Sequence, residues 1–295
     1  MSKNRDHRPD QNGRSVNYLA PTDLQDALAA FNDGKWTVLA GGTDFYPSRV
    51  GRPLTEPVLD ISKLDELRGI TKTDDSYRIG ALTRWADIRK ADLPRAFDGL
   101  RLAASEVGGI QVQNAGTIAG NLCNASPAAD GIPPLLTLDA AVELSSQGGH
   151  RVVPLAEFLT GYRQTALRPG ELVTAVVVPR ALETAFSDFQ KLGSRSYLVI
   201  SIVMVATVIA IGADGTIVDA RVAVGACSPV AQRLTDLESE LRGRHKSDRL
   251  LHLPARHHLD ALAPIDDVRA TADYRLEAAL ALIRRSLRRL AESGE

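Results

Sequence analysis

The sequence predicts an α+β protein, and three features carry that prediction. A length of 295 residues suggests about two domains. Short Val/Ile-rich runs alternate with amphipathic helical segments through the first two thirds. The last third reads as a strand hairpin followed by one long, regular helix. Apolar residues make up 44% and charged residues 24%, the balance of an ordinary globular chain. Lys plus Arg is 35 and Asp plus Glu is 36, a net charge of −1. No bulk basic surface is therefore expected for nucleic acid or an acidic membrane.

The first fifteen residues, MSKNRDHRPDQNGRS, are polar and charged, and read as a flexible leader with no secretory signal. Two cysteines, Cys123 and Cys227, form neither a disulfide framework nor a paired metal-ligand spacing. The expected compartment is the reducing cytoplasm. Pro21-Thr22-Asp23 supplies a start signal for a helix over Leu24 to Phe31. Trp36 to Ala40 is a short apolar strand that runs into Gly41-Gly42-Thr43-Asp44, and a strand at Val58 to Ile61 ends this first unit. A second unit begins with a strand at Tyr77 to Gly80 and helices at Trp85 to Lys90 and Leu100 to Val107. Ala141 to Leu144 and His150 to Val153 form a hairpin around Gly148-Gly149. Glu171 to Pro179 is a buried strand that its proline closes.

Composition shifts between Arg180 and Ser187, which marks the domain boundary. The uncharged run Tyr197 to Gly212 is shorter than the ~20 residues of a membrane-spanning helix. It is rich in Val, Ile and Thr, which favour strands. Asp214-Gly215 and the alternating segment Thr216 to Gly225 complete an antiparallel hairpin. Asp273 to Glu292 is the longest helix, with Leu276, Leu280, Ile283, Leu287 and Leu290 on one face. Arg284, Arg285, Arg288 and Arg289 read as its solvated face. His245, His252, His257 and His258 read as part of a solvated loop, and Asp266-Asp267 as a helix cap pair.

Two glycine-bearing turns carry the chemistry. In Ala40-Gly41-Gly42-Thr43-Asp44, two residues without side chains let backbone N–H groups converge on an anion, with a hydroxyl beside them. The spacing is neither GxxxxGK[ST] nor GxGxxG. Thr117-Ile118-Ala119-Gly120-Asn121 is a second such turn, followed by Asn124, Ser126 and Asp130 within an apolar frame of Leu122, Ile132, Leu135, Leu136 and Leu138. Buried polar loops need hydrogen-bond partners. Two of them could clamp a pyrophosphate from both sides, so a dinucleotide cofactor is expected.

The segments AGGTD at 40–44, TIAGNLCNASPAAD at 117–130, PGELVTAVVVP at 169–179 and FQKLGSRSYLVIS at 189–201 resemble the FAD-binding medium subunits of molybdenum hydroxylases of the xanthine and carbon monoxide dehydrogenase type. The similarity extends to PIDDVRATADYR at 264–275. The resemblance implies a two-subdomain FAD-binding fold of the vanillyl-alcohol-oxidase or PCMH type, then a C-terminal α+β domain with a three-stranded antiparallel sheet. The implied boundaries are 16–183, divided at about 65–66, and 187–292. It also implies non-covalent FAD, with Val38, Leu39, Ala40, Gly41, Gly42, Thr43, Asp44 and Phe45 on one side of the pyrophosphate. Thr117, Ile118, Ala119, Gly120 and Asn121 would lie on the other side, acting mainly through backbone donors. Asp130 would accept from FAD hydroxyls, Val173 would meet the ring, Lys191 would lie near the flavin carbonyl edge, and Tyr197 to Ile200 near its face. Ala119 stands where many relatives carry a glycine.

The resemblance further implies partners: a small subunit with two-iron iron–sulfur clusters and a large subunit with the molybdenum cofactor, as a dimer of heterotrimers that serves an external electron acceptor. With Cys123 and Cys227 alone, this chain cannot ligate a four-cysteine cluster. Cys123 reads as a small packed residue rather than a redox thiol. The alternatives are a self-contained FAD oxidoreductase of the same fold, or a binding module that has lost its flavin. The short C-terminal part argues against the first, and the intact glycine turns against the second.

Overall fold

A computed structural model describes residues 6–9, 15–32, 34–195, 198–246, 250 and 252–293. The first unit is a four-stranded sheet of β1 (Asp6–Pro9), β2 (Ser15–Leu19), β3 (Thr37–Leu39) and β4 (Val58–Asp60). Its spatial order is β1-β2-β4-β3, with β4 parallel to both β2 and β3. Part of the expected leader is thus a strand, because β1 pairs antiparallel with β2. Helix α1 (Leu24–Asn32) connects β2 to β3. The Asp23 carboxylate caps it by accepting from the N–H groups of Gln25 and Asp26.

The second unit holds a five-stranded antiparallel sheet of β5 (Ile70–Lys72), β6 (Ser76–Gly80), β7 (Ala141–Ser146), β8 (Gly149–Pro154) and a later strand, Leu172–Pro179. Helices α2 (Trp85–Lys90), α3 (Asp98–Glu106), α4 (Ile110–Ala115), α5 (Ile118–Asn124) and α6 (Ile132–Thr137) lie between β6 and β7. After β8 come α7 (Leu155–Phe158), the two-stranded ribbon of β9 (Leu159–Gly161) and β10 (Gln164–Thr165), and then Leu172–Pro179 as β11. The order is β5-β6-β11-β7-β8. Strand β11 is central, which is why its sequence is apolar almost without alternation. Val176 pairs with Ile79 on one side and Val142 on the other, and all three are fully buried. One continuous core, including Leu59, Trp85, Phe97, Ile118, Leu122 and Phe158, joins the two units.

The C-terminal part has its own core. Its sheet has three long antiparallel strands, β12 (Phe186–Leu192), β13 (Val203–Ile211) and β14 (Ile217–Gly225), with a two-residue edge strand β15 (Gln232–Arg233) added to the expected three. The hairpin turns at Gly215, whose φ is +81°. Strand β13 starts at Val203 and not near Tyr197. Leu198 is left-handed, and the segment folds back so closely that a Cβ on Gly193 would lie 2.3 Å from Val199. Tyr197 itself is outside the described residues.

Helix α8 (Thr235–Leu241) and helix α9 (Ala272–Ser293) pack on this sheet. The buried stripe of α9 runs through Ala279, Leu282, Ile283, Leu287 and Leu290, while Leu276 and Leu280 are half-buried. Arg284, Arg285, Arg288 and Arg289 are exposed, as expected. Arg275 is buried, and donates to the carbonyls of Ile202 and Ala226 and to Asp267.

The histidine segment departs from a purely solvated loop. His258 is buried, and its Nδ1 accepts from the Ala255 N–H. Its Nε2 lies 3.3 Å from Glu240, and the His257 ring lies against it, tilted by 39°. Glu240, His257 and His258 are close enough to share a metal ion. An Nδ1 that accepts leaves the ring proton on Nε2, a buried atom that makes no hydrogen bond among the described residues. No helix among the described residues is long and apolar enough to cross a membrane.

Candidate cofactor site

The two glycine turns meet at one cleft of about 380 Å³ between the first and second units. The first follows β3, where the chain turns through Gly42 at φ +73° into a helical turn closed by Tyr46 N–H to the Gly42 carbonyl. Among the described residues, none accepts from the N–H groups of Gly41, Gly42, Thr43, Asp44 or Phe45. Five adjacent donors without acceptors, at the mouth of a cleft, form an anion cradle. Gly41 is there for close approach: a Cβ would lie 2.1 Å from the Ala115 carbonyl oxygen. The two turns pack backbone against backbone, which only glycine permits.

The second turn is the N-terminus of α5, and its donors from Ile118 to Asn121 are already engaged. Ile118 N–H donates to the Thr83 carbonyl, Ala119 N–H to Ala81, Gly120 N–H to the Thr117 hydroxyl and Asn121 N–H to the Thr117 carbonyl. Backbone donors without acceptors are therefore gathered mainly in the first turn. What α5 offers instead is Asn121, whose buried Oδ1 has no partner and whose residue lines the cleft. A buried polar side-chain atom left unpaired needs a ligand or ordered water.

Of the sequence-predicted residues, Val38, Ala40 to Phe45, Thr117, Ala119, Gly120, Asn121 and Val173 line the cleft, with apolar wall supplied by Leu82, Trp85, Val107 and Leu172. Leu39 and Ile118 are buried in the protein and do not line it. Cys123 is exposed within the cleft, yet enough protein surrounds its sulfur that burial pushes the thiol up to about 12. It is a thiol at neutral pH, not a thiolate. Arg163 is the functional candidate that sequence reasoning missed. It donates to Asn124 Oδ1 at 2.7 Å and lies 3.7 Å from the Asp44 carboxylate, so it links the C-terminal end of α5 to the first turn. Its only local signal is that it stands at φ +52° in the tight turn between β9 and β10.

Asp130 and Lys191 do come together, but not in the cleft lining. Lys191 Nζ donates to Asp130 Oδ2 at 2.9 Å and to the Glu106 carbonyl at 3.1 Å. The Ser201 hydroxyl donates to Asp130 Oδ1. Both side chains are more than nine-tenths buried. Burial pushes the Asp130 carboxyl up to about 6, against the opposing pull of Lys191 and Ser201. The pair fastens the second unit to the C-terminal domain, and an ionised Asp130 offsets most of the field of the Lys191 charge.

Comparison with known proteins decides the family. Residues 14–181 match the FAD binding domain in molybdopterin dehydrogenase, and residues 188–290 match the CO dehydrogenase flavoprotein C-terminal domain. The chain belongs to the FAD-binding subunits of the molybdenum hydroxylases. This flavoprotein is 32% identical to the glyceraldehyde dehydrogenase medium chain of Sulfolobus acidocaldarius, over 93% of its own length and 98% of the relative's. It is 36% identical to the nicotinate dehydrogenase FAD-subunit of Eubacterium barkeri, over 64% and 67% of the two chains. Among solved structures, carbon monoxide dehydrogenase from Hydrogenophaga pseudoflava aligns with a TM-score of 0.85 at 27% identity, covering 94% and 97% of the two chains. The residues of the cleft fit the flavoprotein's cofactor, FAD. The N–H row of 41–45 suits a pyrophosphate, the orphaned Asn121 Oδ1 suits a hydroxyl, and the apolar wall suits a planar ring.

Proposed function

We propose that this flavoprotein is the electron outlet of a heteromeric molybdenum hydroxylase. It takes electrons from two-iron clusters on a small subunit and hands them to an external acceptor, while a large molybdenum subunit oxidises the substrate. The observation that carries this reading is a built FAD cleft in a chain with only two cysteines, one in the cleft and one in the C-terminal core. Two-iron clusters held by four thiolates each need more ligands than that. The short C-terminal domain is filled by its own core, which supports a subunit over a self-contained oxidoreductase.

FAD, when bound, supplies the capacity to take up and release electrons singly or in pairs. The chain's residues do the rest. The donors of Gly41 to Phe45 hold the pyrophosphate non-covalently, Arg163 ties the C-terminal end of α5 to the first turn, and Trp85, Leu172 and Val173 exclude water from the ring. Assembly as a dimer of heterotrimers in the cytoplasm completes the proposal.

The test uses the chain expressed alone and in its assembled complex. Acid or heat precipitation is expected to leave free FAD in the supernatant. The isolated chain is expected to be bleached by dithionite and to turn over none of nicotinate, glyceraldehyde or carbon monoxide, whereas the chain purified from its source is expected to bring iron–sulfur and molybdenum subunits with it. Turnover by the isolated chain with molybdenum and iron absent overturns the proposal.

A further inference from the structure

A second recess, of about 450 Å³, opens where α3 meets β12 and α9. It shares no lining residue with the cofactor cleft. Four arginines and two aspartates line it, and both aspartates already have partners. Asp98 is paired with Arg101, which also donates to the carbonyls of Ala91 and Leu93. Asp188 accepts from Gln190 at 2.7 Å and lies 3.3 Å from Arg289. Arg89 and Arg95 are left without a carboxylate among the described residues. Arg89 donates to the neutral Gln113 amide, and the Arg95 guanidinium carbon lies over the Phe186 ring, 4.4 Å from its centroid.

We infer that this recess binds a phosphate monoester, with the phosphate on Arg89 and Arg95 and the organic part against the exposed Leu102. Two cations without counter-charges in one concavity match a dianion, and guanidinium forks match phosphate oxygens bidentately. The contact with Phe186 restrains the Arg95 fork before any ligand arrives. The recess falls in the size range of small-molecule sites and exceeds what a bare phosphate fills. The inference does not rest on the FAD reading.

Isothermal titration of the FAD-loaded chain, whose cofactor cleft is then filled, tests it with adenosine 5′-monophosphate, inorganic phosphate and succinate. The nucleotide is expected to bind with a dissociation constant below about 1 mM, inorganic phosphate more weakly, and succinate more weakly still. Arg95→Gln and Arg89→Gln are each expected to weaken nucleotide binding by about tenfold, with FAD content and ligand-free Tm unchanged. Nucleotide binding that is absent, or equal in the variants, overturns the inference. Succinate as tight as the nucleotide overturns the phosphate assignment, and inorganic phosphate as tight overturns the subsite for the organic part.

Discussion

Lys191 and Asp130 form a buried ion pair, 2.9 Å from Nζ to Oδ2, that joins β12 of the C-terminal domain to the loop between α5 and α6. A charge held in that way cannot lose its partner cheaply. Lys191→Met leaves a buried carboxylate without its counter-charge, and is expected to cost about 3 kcal/mol at neutral pH. The urea midpoint of the purified chain measures it. A midpoint unchanged from wild type would show that the pair carries no net stability.

The same carboxyl titrates late. Its folded value of about 6 lies above the ordinary 3.8, so folding is favoured by its protonation. That contribution is fully present below 3.8 and is lost as the pH rises through about 6. Carbon-13 labelling of aspartate carboxyls is expected to show one resonance with a midpoint near 6 that is missing from Asp130→Asn. A set of aspartates all titrating at or below 3.8 would contradict this.

Gly41 and Gly120 are expected to respond differently to the same substitution. A methyl on Gly41 meets the Ala115 carbonyl at 2.1 Å, whereas one on Gly120 meets the Thr117 hydroxyl at 2.9 Å. Backbone cannot yield as a hydroxyl rotor can. Gly41→Ala should reduce FAD affinity by more than about tenfold, and Gly120→Ala by less. Flavin fluorescence titration of the apoprotein ranks the two, and equal losses would remove the argument from close approach.

Arg163 bridges Asn124 and Asp44 from a half-exposed position. Its ion pair is screened by solvent, so most of its effect comes from the Asn124 hydrogen bond, at about 1 kcal/mol. Arg163→Ala is expected to weaken FAD binding roughly fivefold with an unchanged urea midpoint. A collapse of stability instead would place Arg163 in the scaffold and not at the cofactor.

Arg275 holds the Ile202 and Ala226 carbonyls and Asp267 from a buried position in the first turn of α9. Arg275→Met removes those donors and leaves Asp267 with fewer partners. A loss of about 3 kcal/mol in thermal or urea unfolding is expected, with Arg275→Lys a poor rescue because one ammonium cannot span three acceptors. Wild-type stability in Arg275→Met would refute the clip.

Nearest-neighbour chemistry wrote much of this protein plainly into the chain. The α1 start at Asp23, the helix Trp85–Lys90, the turn at Gly215 and the long α9 all follow from capping, periodicity and glycine, which act within a few residues. The glycine turns and the motifs around them also announced the cofactor and the family. Which groups would still be free to bind was another matter. The four leading N–H groups of α5 look available in sequence, but packing engages them with Ala81, Thr83 and Thr117. Asp130 and Lys191 read as two separate ligands, yet 61 positions apart they meet as one pair. Arg163 carries no motif, and Asn121 looks like any helical asparagine until its Oδ1 is found buried without a partner. Local patterns specify conformation, because backbone preference is a short-range property. Donors, acceptors and counter-charges are allotted by long-range packing, and only the folded chain shows which remain for the cofactor.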